Sequence, residues 1–86
     1  MNQKEIKLAE NLRRYRNWID VTQDEMAAKL EIHRATYQAY ESRGVEPNAD
    51  TLLKIARTIG VTVDDLCFGD VVQVLTDAQK GGQSHG

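Results

Sequence analysis

Apolar residues recur three or four positions apart in the first half of the chain, which is the spacing of one face of an α-helix. The pattern predicts three helices: one ending near Trp18, one starting after Thr22 and one over residues 34–42. Thr22 stands three residues before Glu25, and this spacing predicts a capping box at the start of the second helix. The predicted inward-facing residues are Leu8, Leu12, Tyr15, Ile19, Met26, Ala27, Leu30, Tyr37 and Tyr40.

The second half predicts two more helices and then a change of pattern. Asn48 is a suitable N-cap for a fourth helix that Gly60 ends, and Thr62 caps a short fifth helix. The apolar positions of these two helices are Leu52, Ile55, Ala56, Ile59, Val63, Leu66 and Phe68. We therefore expect an all-α, five-helix domain over residues 1–69. Residues 70–86 are β-branched at first and then small and polar, which predicts a short appendage followed by disorder.

The composition is that of a single small domain. With 86 residues, the large apolar side chains must share one core. No apolar run approaches the roughly 18 residues of a membrane span, and the polar residues after Met1 do not resemble a signal peptide. Cys67 is the only cysteine, so no disulfide forms within the chain. These features predict a cytoplasmic protein without a membrane partner.

Two segments carry a resemblance to a known family. They are TQDEMAAKLEIHRATYQAYE (Thr22–Glu41) and EPNADTLLKIARTIGVTVDDL (Glu46–Leu66). Between Leu12 and Phe68 the chain resembles the lambda-repressor and Cro-like helix-turn-helix family. The resemblance implies a protein that binds double-stranded DNA as a homodimer and regulates transcription, with the third helix as the recognition helix in the major groove.

The resemblance also assigns roles to residues. Arg34 is the strongest candidate for reading a base, because its guanidinium can bond guanine O6 and N7 together. The base-reading positions that the resemblance implies are His33, Arg34, Ala35 and Ala39, and helical phase places Gln38 on the same outward side. The phosphate-contacting positions that the resemblance implies are Gln23, Thr36, Arg43 and Asn48. Arg16 and Glu41 match a pair that forms a buried salt bridge between helix 1 and the recognition helix in relatives. No cofactor, metal ion or catalytic group is implied.

The sequence departs from the family pattern where relatives place glycine in turns. Asp20 and Glu31 occupy those positions. A left-handed backbone disfavours residues with a Cβ, and Asp tolerates it better than Glu does. We expect either strain or a different turn at Glu31.

The overall charge is the main evidence against a nucleic-acid partner. The net charge is -2, whereas a DNA-binding domain usually carries a basic surface. Eight of the eleven cationic residues fall in residues 1–43 beside seven acids, and three fall in residues 44–86 beside six acids. This distribution allows a local basic face.

Several residues have a structural interpretation beside the functional one. The two tyrosines of the recognition helix are expected in the core, and Trp18 is expected in the core or at a dimer edge. A helix-start contact is favoured over metal binding for His33, since no second ligand lies nearby in sequence. Cys67 is expected to be a packing residue, not a catalytic one. Arg13 and Arg14 either form a solvated face or contact phosphate.

Two functions remain open from the sequence. The first is a repressor that binds an inverted repeat as a dimer, with residues 71–75 as a dimer contact. The second is an antitoxin-like module that mainly holds a protein partner, with DNA binding weak or secondary. For residues 71–75 the structural alternative to a dimer contact is a loosely packed strand or helix extension. A steep fall of binding with salt would favour the first, because phosphate contacts release counterions.

Overall fold

Six α-helices make up most of the chain in a computed structural model that describes residues 6–84, with side chains through residue 79. The described residues contain no strand, so the predicted all-α class is confirmed. Residues 1–5, 85 and 86, where we expect a polar start and the end of a disordered tail, lie outside this range. The helices are α1 (Leu8–Trp18), α2 (Gln23–Leu30), α3 (Arg34–Ser42), α4 (Ala49–Ile59), α5 (Val63–Phe68) and α6 (Val71–Ser84).

Side-chain caps start three of these helices, as the sequence predicts. The Thr22 hydroxyl accepts the N–H of Glu25 at 3.1 Å, and the Glu25 carboxylate accepts the N–H of Thr22 at 2.8 Å. Asn48 caps α4 and Thr62 caps α5 through their side-chain oxygens, at 2.9 and 3.0 Å. Each cap satisfies a backbone N–H that has no partner inside the helix.

Three helices end at a residue with a left-handed backbone. The φ angles are 61° at Asp20 after α1, 60° at Glu31 after α2 and 96° at Gly60 after α4. In each case the backbone N–H of the next residue donates a hydrogen bond to the carbonyl five residues earlier. For example, the N–H of Ile32 donates to the carbonyl of Ala27 at 3.0 Å. This is the Schellman end of a helix, which favours glycine. The two departures from the family pattern therefore keep the glycine conformation with side chains attached.

The core lies where α1 and α4 meet the pair formed by α2 and α3. The fully buried apolar side chains at its centre are Leu12, Met26, Leu30, Tyr37, Ile55, Leu66 and Val71. The apolar stripes predicted for α1, α2 and α3 supply most of them. In α5 Cys67 is buried, whereas Phe68 is 37% exposed.

The C-terminal segment differs from the expected five-helix arrangement. Val71–Ser84 forms a sixth helix, and Val71 at its start is fully buried in the core cluster. Val71, Val72 and Val74 have low helix propensity, which is why the sequence indicated a short appendage. Packing of α6 on α1 and α5 overrides that preference. The division of the chain at residue 69 stays a prediction.

Asn11 joins α1 to the last two helices. It is 3% exposed, and its Nδ2 donates to the carbonyl oxygens of Leu66 at 2.7 Å and Gly69 at 3.1 Å. Its Oδ1 accepts the N–H of Val71 at 3.2 Å. One buried amide thus satisfies three backbone groups where α5 gives way to α6. Within the described residues, no helix combines the length and apolarity needed to cross a bilayer.

Candidate nucleic-acid interface

The α2–turn–α3 unit presents one side of α3 to solvent. Tyr37 and Tyr40 point inward, 0% and 7% exposed, which agrees with the predicted core role. The opposite side holds the predicted base-reading residues. Of these, His33, Arg34, Ala35 and Gln38 are exposed and Ala39 is half-buried.

A shallow groove of about 410 Å³ runs along this exposed side. Ala35 and Ala39 have the smallest side chains that line it, and they leave room for another molecule to approach the helix. The complete lining is Ala35, Gln38, Ala39, Ser42 and Arg43. Three of the five predicted base-reading residues therefore share one surface with Arg43, which is predicted to contact phosphate.

Arg16 and Glu41 fix α3 against α1. Nε of Arg16 donates to Oε2 of Glu41 at 2.8 Å, and Nη2 donates to Oε1 at 3.2 Å. Nη1 of the same guanidinium donates to the carbonyl of Val21 at 3.2 Å, which also ties the start of α2 to the pair. The carboxylate is buried, and the guanidinium is 17% exposed at the rim. This is the interhelical salt bridge that the resemblance implies.

Two further donors complete the surroundings of Glu41. The hydroxyl of Tyr37, one turn earlier on α3, donates to Oε2, and Nε2 of Gln23 donates to Oε1 at 3.0 Å. Burial opposes ionisation of the carboxyl, but the hydrogen bonds from Arg16, Tyr37 and Gln23 outweigh it and lower the pKa of Glu41. Burial, followed by the bond to Glu41, raises the pKa of Tyr37, so this hydroxyl stays a donor.

Arg13 holds the far end of α3. Its Nη1 donates to the backbone carbonyl of Glu41 at 2.9 Å, where the last carbonyls of a helix carry partial negative charge. Arg14 faces elsewhere and pairs loosely with Glu10 at 3.7 Å and Asp70 at 3.5 Å. The sequence alternatives of a solvated face or a phosphate contact did not include the helix-end role of Arg13, because its partner is a main-chain atom 28 residues away.

Arg34 is paired across the surface with α2. Its Nε lies 2.5 Å from Oδ1 of Asp24, and both side chains are well exposed, at 64% and 69%. The sequence did not indicate this pair. The signal available was an acid in the first turn of α2 and a base at the first position of α3, which come together because α2 packs against α3.

The predicted phosphate-contacting residues lie at the ends of helices around α3. Thr36, Arg43 and Asn48 are exposed, and Asn48 also serves as the cap of α4. Gln23 is half-buried and its amide nitrogen is turned toward Glu41. The start of α2 still carries the partial positive charge that favours an anion. Contact of these residues with DNA stays a prediction.

The turn between α2 and α3 is held from α4. Nζ of Lys54 donates to the carbonyl of Glu31 at 3.1 Å and lies 3.6 Å from its Oε1. The left-handed residue that departs from the family pattern is thus bound through both its main chain and its side chain. Lys54 was not singled out in the sequence, because its partner lies 23 residues earlier.

The other residues considered for chemistry have structural positions. His33 precedes α3 as its N-cap residue without a side-chain cap bond. Trp18 is 41% exposed, with its ring tilted against Tyr15 at a centroid distance of 6.3 Å. Cys67 is buried; burial first, then the charges of Asp64 and Glu46, raise the pKa of its thiol. In the part of the chain that the structure describes, no three metal-ligating side chains converge.

The chain is similar to known proteins along most of its helical part. A model of the family described as Helix-turn-helix matches residues 12–66. Over 62 residues, 72% of this chain, it is 40% identical to the uncharacterized HTH-type transcriptional regulator YqaE of Bacillus subtilis. Over the same share it is 36% identical to the cryptic phage CTXphi transcriptional repressor RstR of Vibrio cholerae.

A third relative is matched over a longer stretch. Over 75 residues, 87% of this chain, it is 29% identical to the HTH-type transcriptional activator BcrR of Enterococcus faecalis. The chain spans about half the length of the first two relatives, 53% and 55%, and 37% of the third. No solved structure matches the chain with statistical significance.

Proposed function

The chain belongs to the helix-turn-helix family of the lambda-repressor and Cro-like type, and from this premise we propose that it binds double-stranded DNA sequence-specifically and regulates transcription. In our proposal it acts as a repressor, as a homodimer on an inverted-repeat operator, in the cytoplasm. This function needs neither a cofactor nor catalysis. A second helix-turn-helix copy adds the contacts that one short recognition helix lacks.

One observation carries the proposal. The recognition helix α3 is held from behind by Arg13 and Arg16 of α1, both acting on Glu41, while its opposite side remains exposed. The nine residues of α3 span roughly 13 Å at 1.5 Å per residue, and an α-helix about 10 to 12 Å in diameter fits a major groove about 12 Å wide. A helix fixed on one side and exposed on the other fits the docking of a recognition helix in that groove.

Selection from random duplex DNA at two salt concentrations tests this proposal. We expect an enriched palindrome whose binding weakens as salt rises, because phosphate contacts release counterions. Arg34→Ala is expected to cost about 1 to 3 kcal/mol at one base pair and to relax the preference there. No enrichment even at low salt would contradict the proposal and favour the antitoxin-like alternative, in which the chain mainly binds a protein.

The phosphate role of Arg43 has its own comparison. Arg43→Ala should weaken binding to all sequences alike and reduce the slope of log affinity against log salt by about 1. Arg57→Ala is the matched control, since Arg57 is exposed in the last turn of α4 and outside the predicted contact set. Equal slopes for the two variants would refute the role. Sedimentation equilibrium with and without the selected palindrome tests the homodimer.

A further inference from the structure

An exposed ion pair lies on the surface that we propose faces DNA. Asp24 is the second residue of α2 and Arg34 is the first residue of α3, and Nε of Arg34 lies 2.5 Å from Oδ1 of Asp24. Pairs this exposed contribute little to folding stability, because water already solvates both charges. Fold stability alone therefore does not account for an acid beside the main candidate for reading a base.

The atom that Asp24 engages determines what the pair can do. A guanidinium is planar and carries five N–H donors in a fixed fork, so a carboxylate oxygen in ionic contact on its Nε side limits the directions that the plane can take. The Nη1 and Nη2 groups supply the paired donors that match guanine O6 and N7. The ionic contact on the Nε side therefore leaves both Nη groups available for a base.

We propose that Asp24 is a positioning residue that determines specificity by holding the Arg34 guanidinium in the orientation that recognises guanine. The inference rests on the proposed function and names a residue outside the contact set that the sequence implied. A free arginine loses rotamer freedom when it docks on a base. Holding it beforehand lowers that cost for the correct base.

Asp24 also has an unfavourable effect on binding that is independent of sequence. A carboxylate near the phosphate backbone repels it, and this repulsion is the same for every DNA sequence. Asp24 therefore lowers general affinity through repulsion and increases the preference for one base pair through positioning. Only the positioning changes specificity, because specificity is a difference of affinities in which an equal repulsion cancels. Removal of the charge should change these two quantities in opposite directions.

Asp24→Asn tests the proposal because it keeps the shape and removes the charge. At the base pair assigned to Arg34, we expect the preference for guanine to fall roughly 3- to 10-fold. Binding to unrelated duplex should become tighter, because the repulsion of phosphate by Asp24 is removed. Asp50→Asn is the matched control, since Asp50 is the second residue of α4, is exposed, and is not among the acids that pair with a base in the described part of the chain. It should keep the full preference for guanine.

The double variant separates positioning from simple repulsion. In an Arg34→Ala background, Asp24→Asn should not reduce base preference further, because the group it positions is gone. If Asp24→Asn reduced the preference equally with and without Arg34, the inference would be overturned. Equal preference in the wild type and Asp24→Asn would overturn it as well.

A measurement without DNA gives an independent readout. The ¹⁵Nε–H of Arg34 should be more ordered on the nanosecond scale in the wild type than in Asp24→Asn, and unchanged in Asp50→Asn. A fully mobile Arg34 Nε in the wild type would refute positioning. If the wild type selects a palindrome but Asp24→Asn keeps the full preference for guanine, the proposed function holds and this inference is wrong. If the wild type selects no DNA, the proposed function is wrong, and this inference is wrong with it.

Discussion

Glu41 accepts hydrogen bonds from two nitrogen atoms of Arg16, a residue 25 positions earlier, although only 2% of the Glu41 side chain is exposed. Burial of a carboxylate costs hydration energy, which a salt bridge repays only with good geometry and additional donors. The donors here come from α1, α2 and α3 together. The pair thus fixes the angle at which α3 lies on α1, and with it the surface that α3 exposes.

Removal of Arg16 should be costly because the buried charge of Glu41 remains. We expect Arg16→Met to lower the free energy of unfolding by about 3 kcal/mol in urea denaturation. Arg16→Met combined with Glu41→Gln should cost less than the sum of the two single variants, since the second change removes the unpaired charge. Additive costs would show that the two residues act independently.

The acid stability of the protein should depend on Glu41. Its pKa is lower in the folded than in the unfolded protein, so its contribution is complete above the unfolded pKa of about 4.3 and is lost as pH falls through the folded pKa. The unfolding free energy should therefore decrease below about pH 4, by up to about 1.4 kcal/mol per pH unit from this group.

Two variants make that pH dependence specific. Glu41→Gln should flatten the acid limb of the curve, whereas Glu10→Gln, which changes a 55% exposed carboxylate on α1, should leave most of it unchanged. Urea denaturation between pH 2 and 7 gives the curves. Parallel curves for the wild type and Glu41→Gln would argue against this account.

Local patterns predicted the first five helices, because each has an apolar stripe. All of them except α3 also have a capping or stop residue that acts over three to five positions. Thr22 with Glu25 is an example, since both partners of the capping box lie in one turn. Helix α6 was missed because valine-rich segments have low helix propensity by themselves. Its stability comes from packing of Val71 against residues that are distant in sequence.

The candidate interface was predictable where a residue's role follows from the family pattern, as for Arg16 with Glu41. Arg13, Asp24 and Lys54 were not predicted, because each contacts a group that only the tertiary fold brings near. Two of those partners are backbone carbonyls, which have no sequence signature. The inward direction of Gln23 was not predicted either, because its partner, the Glu41 carboxylate, lies 18 residues later in the sequence.

Glu31→Gly should stabilise the protein. A left-handed residue with a Cβ costs roughly 1 to 2 kcal/mol, and glycine avoids this at an entropy cost of about 0.5 to 1 kcal/mol, so we expect a net gain of about 0.5 to 1 kcal/mol. The bond from Lys54 to the Glu31 carbonyl remains, because it involves the main chain. Glu31→Ala is the control, since it removes the same carboxylate but keeps the Cβ. A gain for alanine equal to that for glycine would mean that charge, and not backbone strain, limits stability here.

Asn11→Ala should destabilise the whole domain, because it leaves the carbonyl of Leu66 and the N–H of Val71 without their buried partner. We expect a loss of about 2 to 3 kcal/mol, against a change within about 0.5 kcal/mol for the control Asn17→Ala, an exposed asparagine on the same helix. Hydrogen exchange locates the loss. If α6 is part of the cooperative unit, the amides of α1, α4 and α6 should lose protection together. If only the amides of α6 exchanged faster, α6 would be an independent appendage on the domain predicted over residues 1–69.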